Sequence, residues 1–123
     1  MQKIDGTTIK VNRGDALNFT LTIKKEDGTD YTFQIGDTIT FGIYNQEGLN
    51  NKAILLKTIE VLSATTSINI ELTSEETKIG SIINKPFDYW YEIDLNDTHT
   101  ILGYDDNGAK IFRLFPEGSK LEW

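Results

Sequence analysis

The most regular pattern in the chain is the alternation of apolar and polar side chains in the segment Phe87–Leu95, which is also the densest aromatic stretch. Side chains of a β-strand point alternately to its two faces, so a period of two predicts a strand with one apolar and one polar face. The apolar set, which we predict to face the core, is Phe87, Tyr89, Tyr91, Ile93 and Leu95. Trp90 falls among acidic residues on the opposite face. We predict that this segment is the central strand of the domain.

Shorter alternating segments occur on both sides of this strand and are separated by residues that favour turns. The predicted strands span residues 7–12, 16–25, 31–33, 38–44, 67–72, 98–103 and 109–115. In the strand at 38–44, Ile39, Phe41 and Ile43 are predicted to face inward. The apolar run at 53–62 fits no single register. About eight short strands punctuated by turns predict an all-β protein with an antiparallel β-sandwich.

Two local signals predict details of the connections between strands. Asp27-Gly28 is a favoured central pair for a two-residue hairpin turn of type I′. The sequence at 73–76 is Thr-Ser-Glu-Glu, in which a Thr or Ser is followed closely by Glu, as at the start of many helices. We therefore predict one short helix near residues 73–80 that crosses from one sheet to the other.

Length and composition exclude several classes of protein. The 123 residues suffice for one domain, which we predict to span residues 1–118, with a C-terminal tail at 119–123. A net charge of −7 with scattered basic residues argues against nucleic-acid binding. No apolar run approaches the roughly 18 residues of a membrane span, so we predict no membrane association. Cysteine is absent, which excludes disulfides and thiolate metal sites. The first residues carry no apolar segment of a secretory signal, so we expect assembly in a cytoplasm.

The residues needed for catalysis are missing or have a simpler explanation. His99 is the single histidine, and no Gly-x-Ser-x-Gly sequence is present to supply a serine nucleophile. Glu92 and Asp94 share one strand face about 7 Å apart along the strand, which would suit a glycosidase pair. Alternating polar residues are also what a solvated face requires, and we favour that interpretation. We predict that the chain is not an enzyme and has no catalytic residues.

Metal and cofactor sites are not predicted. The segment 105–108 contains part of a calcium-loop pattern, but the first and last ligand positions of that loop would be Gly103 and Leu114. A hairpin turn explains this segment better. A weak surface calcium site at 94–97 remains an open alternative, because oxygen-rich loops bind Ca²⁺. No glycine-rich phosphate-binding sequence is present, so no cofactor is predicted.

Three aromatic residues are candidates for interaction with a partner. Trp90, Tyr104 and Trp123 could present rings that stack on sugars or pack against a neighbouring subunit. For Trp90 the alternative is a place in the core, since a central strand can bury large rings on both faces. Arg13-Gly14-Asp15 is the integrin-binding tripeptide, but glycine between charged residues is ordinary turn chemistry, which we favour here.

Three blocks of the chain, taken together, resemble a known group of proteins. The blocks lie at 13–23 (with the Asp-Gly turn that follows), at 72–77 and at 89–105. They resemble small virion-associated proteins of phages that infect Gram-positive bacteria, including the N-terminal domain of the phage baseplate upper protein. A baseplate upper protein continues into further segments, whereas this chain ends at Trp123.

The resemblance implies an immunoglobulin-like β-sandwich that serves as a structural and interaction module in a tail, baseplate or related virion structure. It implies no catalytic residues, and partners that are other virion proteins or further copies of the chain. The expected location is the virion, assembled in the cytoplasm of the bacterial host. The alternative function is a carbohydrate-binding module that uses exposed aromatic residues, with a cell-surface glycan as partner.

Overall fold

The computed structural model describes residues 2–45, 53–103, 106 and 108–118. Within these residues the protein is all-β and contains no helix. The strands that the described residues form are β1 (Gln2–Asp5), β2 (Thr8–Asn12), β3 (Leu17–Leu21), β4 (Thr38–Tyr44), β5 (Leu55–Glu60), β6 (Ile68–Leu72), β7 (Phe87–Leu95), β8 (His99–Leu102) and β9 (Lys110–Phe115). Consequently, none of the described segments forms a helix of the length and apolarity needed to cross a membrane.

The strands form two sheets. The larger sheet has the order β1-β2-β9-β7-β4-β5, and β8 also pairs with β7; the smaller sheet consists of β3 and β6. Strand β7 pairs along one edge with β4 and along the other with β9 and β8. The aromatic segment predicted to be central is therefore the strand with the most partners in the described part of the chain.

The prediction that all strands pair antiparallel is wrong at one position. β2 and β9 run parallel, with Ile9 beside Phe112 and Asn12 beside Phe115. Parallel neighbours need a long connection between them. Here almost the whole domain separates the two strands. Alternation of side chains tells which residues face inward but carries no information on strand direction, so the sequence pattern could not reveal this pair.

The short helix predicted near residues 73–80 is also absent, although its start signal does form. The backbone N–H of Thr73 donates to Glu76 (2.9 Å), and the N–H of Glu76 donates to the hydroxyl of Thr73 (3.2 Å). This reciprocal pair is a capping box. It closes one turn, with the N–H of Thr77 donating to the carbonyl of Thr73 (3.2 Å), and the chain then leaves at Gly80 with a φ of 65°. The carbonyl groups that a longer helix would use accept hydrogen bonds from Arg13 instead.

The type I′ turn predicted at Asp27-Gly28 does not form there. The turn after β3 is a three-residue loop, closed by the N–H of Lys25 on the carbonyl of Thr29, in which Gly28 alone has a positive φ. The predicted type I′ turn needs a positive φ at both central residues. That condition is met between β7 and β8, where Asn96 and Asp97 have φ values of 54° and 57°. Asn and Asp tolerate this conformation better than other residues with a Cβ atom.

The core lies between the two sheets. Phe41 on β4 contacts Phe19 on β3 (5.8 Å between ring centroids) and Tyr91 on β7 (5.6 Å). The inward positions of β7 are buried at Tyr89, Tyr91 and Ile93, as predicted. Phe87 is 46% exposed, so its predicted core position is wrong. It lies at the first residue of the strand and packs on the ring of Tyr89 (4.8 Å) at the margin of the core.

Candidate interaction surface

The side of the larger sheet that faces away from the core is termed the outer face. Because Ile39, Phe41 and Ile43 are fully buried, the alternate residues of β4 point to this face. Strand pairing places Tyr44 beside Trp90, and Trp90 beside Ile111. Two residues before Tyr44 on β4, Gly42 pairs with Leu56 of β5. We term the set Leu56, Tyr44, Trp90 and Ile111 the apolar band; it crosses four neighbouring strands of the sheet.

Tyr44 and Trp90 form a stacked pair at the centre of this band. Their ring centroids are 4.3 Å apart and their planes differ by 18°. The indole N–H of Trp90 donates to the carbonyl of Asn45 (2.7 Å), which fixes the orientation of the indole. Both side chains are half-buried. Trp90 is therefore neither a core residue nor a freely exposed ring. It is a half-buried part of the surface that is held by Tyr44 and Asn45.

Gly42 permits this stack by its lack of a side chain. A Cβ atom at position 42 would lie 2.8 Å from the hydroxyl oxygen of Tyr44 and 2.9 Å from the nearest carbon of its ring. The tyrosine ring thus lies across the backbone of Gly42, between Leu56 and the stacked indole. Glycine inside a strand is often a site where another group approaches the backbone closely. Here that group is the ring of Tyr44.

Acidic residues lie on one side of the apolar band. Burial and the nearby charge of Asp94 raise the pKa of Glu92, and burial raises the pKa of Asp94. The hydroxyl of Thr100 donates to Glu92 (3.3 Å). One carboxylate oxygen of Asp94 is buried and accepts no hydrogen bond from the described residues. Burial, followed by the negative charges of Glu92 and Asp94, also raises the pKa of Tyr44. The outer face is thus electronegative next to the stack.

Asn96 and Asp97, in the turn after β7, make their side-chain hydrogen bonds within the protein. The side chain of Asn96 accepts from the N–H of Thr38 (2.8 Å) and donates to Asp37 (3.1 Å), and the hydroxyl of Thr40 donates to Asp97 (3.4 Å). Over the described ranges, no group of three or more acidic or histidine side chains could hold a metal ion. The oxygen-rich sequence of this segment is explained by the hydrogen bonds of the turn.

Basic residues lie on the other side of the apolar band. Lys3 of β1 pairs with Lys10 of β2, which lies beside Arg113 of β9. The guanidinium of Arg113 makes two hydrogen bonds to Asp88 (2.7 and 3.0 Å), and this pairing raises the pKa of the arginine. Because Asp88 neutralises Arg113, the positive charge of this region is that of Lys3 and Lys10, on the two strands beyond the band.

The Arg13-Gly14-Asp15 tripeptide forms an internal clamp. Arg13 is 9% exposed and donates to the carbonyl groups of Lys78, Ile79 and Gly80. The N–H of Gly14 donates to the hydroxyl of Thr77 (3.0 Å), and that hydroxyl donates to the carbonyl of Asp15 (2.8 Å). Arg13 and Gly14 are buried in this turn and Asp15 is half-buried, so these contacts account for the tripeptide as a structural turn.

The three predicted interaction residues have different outcomes. The structure places Trp90 in the apolar band, whereas Tyr104 and Trp123 lie outside the described residues. The pattern of single strands could not predict Tyr44, Leu56 and Ile111 as surface neighbours of Trp90, because pairing across strands brings them together. No protein-family model, curated protein or solved structure matches this chain.

Proposed function

We propose that this chain is a non-enzymatic structural and interaction module of a phage particle, and that the outer face of its larger sheet is the binding surface. The observation that carries the proposal is the ordered apolar band, which lies between an acidic and a basic region of one sheet face. The phage context is supported by the sequence blocks that resemble virion-associated proteins.

An immunoglobulin-like β-sandwich is supported by the strand order. In variable-type immunoglobulin domains one sheet contains strands G, F, C and C′ in that order, and strands B and E lie in the other sheet. The order β9-β7-β4-β5 corresponds to G-F-C-C′, and the pair β3-β6 corresponds to B and E. The correspondence also follows the order of the strands along the chain.

The centre of the core gives a second argument for this fold class. In antibody domains a buried tryptophan on strand C packs against a disulfide that joins strands B and F. In this chain, Phe41 on β4 packs between Phe19 on β3 and Tyr91 on β7. The three strands correspond to C, B and F. An aromatic trio therefore links the sheets where antibody domains use a disulfide, in keeping with a chain that has no cysteine.

The composition of the outer face resembles that of protein interfaces. Such interfaces have an apolar centre rich in aromatic residues and a polar rim. The apolar band supplies the centre, and the charged residues on both sides supply the rim. Leu56 is 60% exposed at the end of the band, so covering it would remove apolar surface from water. This arrangement favours a flat protein partner.

The geometry of the stack gives less support to the carbohydrate-binding alternative. Sugars stack on the faces of aromatic rings. Tyr44 covers one face of the Trp90 indole, and Ile111 is the strand neighbour on the opposite side. The indole therefore has little open face to offer a sugar ring. Binding to a glycan array that is lost in a Trp90→Ala variant would favour the carbohydrate function over the one proposed.

The proposal is tested by incorporation of the chain into particles. Particles are purified from bacteria that carry the gene with its genomic neighbours, and the chain is quantified in them by mass spectrometry. We expect the wild-type chain in a fixed ratio to the other particle proteins. Leu56→Asp should reduce this ratio at least about tenfold, because a carboxylate buried without a partner costs well over 1.4 kcal/mol.

The matched control is Ile82→Asp. Ile82 is 81% exposed in the connection between β6 and β7, outside the outer face, so the same change of chemistry should leave incorporation intact. Absence of the wild-type chain from purified particles would overturn the phage role. Equal incorporation of both variants would overturn the role of the outer face.

A further inference from the structure

We propose that the partner of the outer face is a second copy of this chain, bound face to face about a twofold axis. This inference rests on the proposed role of the outer face as a binding surface. It is carried by the arrangement of charge on both sides of the apolar band, because that arrangement is complementary to itself in one orientation.

The charged regions lie at opposite ends of a diagonal across the face. Lys3 and Lys10 are on the outermost strands at one side of the band, two residues along the strands from the level of Trp90. Asp94 and Asp97 are at the other side, on β7 and in the turn that follows it. Along the strands, the level of Trp90 lies between the levels of the two regions.

The twofold axis is placed by this diagonal. In a symmetric dimer the same patch is used by both copies, and two faces in contact are related by an axis that lies between them. An axis at right angles to the diagonal sets Lys3 and Lys10 of each copy opposite Asp94 and Asp97 of the other. An axis along the diagonal would set like charges against each other, so complementarity selects the first orientation.

The hydrogen-bonding state of Asp94 agrees with this arrangement. One of its carboxylate oxygens has no donor among the described residues, and burial raises the pKa of this carboxyl. A buried carboxylate without a donor is destabilising, and a cation brought by a partner relieves that cost. The lysines of a second copy would bring positive charge near this carboxyl and offset its negative charge.

The size of the face is sufficient for a specific dimer. Six neighbouring strands about 4.8 Å apart, each presenting about six residues, form a face of roughly 29 by 20 Å. Its corrugated accessible surface is larger than this projected area. A standard protein interface buries about 800 Å² on each partner. Full overlap of two such faces would therefore approach the area of a standard interface.

The experiment measures the mass of the full chain in solution with two complementary variants. In the first, Lys3→Glu/Lys10→Glu makes the basic region acidic. In the second, Thr58→Lys/Thr100→Lys adds two cations to the acidic region, at exposed positions in the strand row that contains Asp94. Sedimentation at about 100 µM would show a dimer even if its Kd were about 10 µM.

We expect the wild-type chain to sediment at about twice the monomer mass of 13.9 kDa. Each variant alone should show dissociation increased at least about tenfold, because the first sets acidic residues against acidic residues across the axis and the second cancels the negative charge that Lys3 and Lys10 face. An equimolar mixture of the two variants should recover the dimer. The control Lys25→Glu/Lys85→Glu makes the same charge change at exposed positions outside the outer face and should remain dimeric. Circular dichroism of each variant confirms that it is folded.

The outcomes separate this inference from the proposed function. A monomeric wild-type chain, or folded variants that remain dimeric, would overturn the pairing of copies. If Leu56→Asp nevertheless abolishes incorporation into particles, the outer face binds another partner and the proposed function stands. A wild-type dimer that the two variants disrupt and their mixture restores, in a chain absent from particles, would support the pairing and overturn the phage role.

Discussion

Arg13 and Glu117 form an ion pair of 3.0 Å that joins the end of β2 to the segment after β9, 104 positions later in the chain. Arg13 also holds the carbonyl groups of residues 78–80, so one side chain connects the first part of the domain, its β6–β7 connection and its C-terminal segment. The clamp makes this corner of the protein dependent on a single buried guanidinium.

Substitution Arg13→Ala should destabilise the fold by about 3 kcal/mol, because hydrogen bonds from a charged group each contribute about 1.5–3 kcal/mol and several carbonyl acceptors lose their donor together. Glu117→Gln should cost less than about 1 kcal/mol, since the side chain of Glu117 is 36% exposed and exposed ion pairs contribute little. Denaturant unfolding measures both values. Equal effects of the two substitutions would show that the hydrogen bonds from Arg13 to the carbonyl groups contribute little to the free energy of unfolding.

Thr77 is the second component of the same corner, and its hydroxyl is fully buried. Thr77→Val keeps the shape of the side chain but leaves the N–H of Gly14 and the carbonyl of Asp15 without their partner. We expect a loss of about 1–3 kcal/mol in the free energy of unfolding. Thr66→Val, at an exposed position, should change stability by less than about 0.5 kcal/mol and serves as the control. A neutral result at Thr77 would mean that water replaces the hydroxyl.

The parts of the fold that depend on local pattern could be predicted from the sequence. The strand Thr38–Tyr44 has its predicted bounds, and its three predicted inward residues are fully buried. The capping box at Thr73 and Glu76 also forms as its sequence indicates. Each of these features is determined by residues within a few positions of one another, and that information is visible in a single sequence.

The rest depends on which distant segments become neighbours. Strand β1 was not predicted, because Gln2–Asp5 has Ile4 as its one apolar residue and becomes a strand by pairing with β2. The Tyr44–Trp90 stack depends on the register of β4 against β7. Gly42 is the signal that the sequence did contain, since a glycine inside a strand often marks a close approach to the backbone.

Gly42→Ala should displace the ring of Tyr44 from Trp90 with little net change in stability. The methyl group would occupy the space of the tyrosine ring. Loss of an aromatic pair costs about 0.5–1.5 kcal/mol, and replacing glycine recovers about 0.4–1 kcal/mol of backbone entropy. We expect a shift in the fluorescence emission of Trp90. The measurement uses a Trp123→Phe background, in which Trp90 is the single tryptophan.

Gly118→Ala is the control for this change, since a Cβ atom at position 118 has no neighbour within 4 Å. Its emission spectrum should match that of the parent chain. An unchanged spectrum for Gly42→Ala would show that the stack does not require the absence of a side chain at position 42.

The outer-face carboxylate of Glu92 and the turn carboxylate of Glu76 should respond to pH with opposite sign. Burial, followed by the charge of Asp94, raises the pKa of Glu92 in the folded protein, so its charged form is disfavoured there. Its destabilising effect is absent below the ordinary glutamate pKa of 4.5 and develops as the pH rises through the raised pKa of the folded protein. Glu92→Gln should therefore increase the free energy of unfolding at pH 7, and the increase should vanish at low pH.

Glu76 is the matched comparison. The hydrogen bond from Lys57, followed by that from the backbone of Thr73, lowers the pKa of Glu76. Its stabilising effect is complete above 4.5 and is lost as the pH falls through the lowered folded value. Glu76→Gln should thus decrease stability at pH 7 and have little effect in acid. Denaturant unfolding of both variants between pH 7 and acid measures these effects. Changes of the same sign at pH 7 would contradict the direction of one of the two pKa shifts.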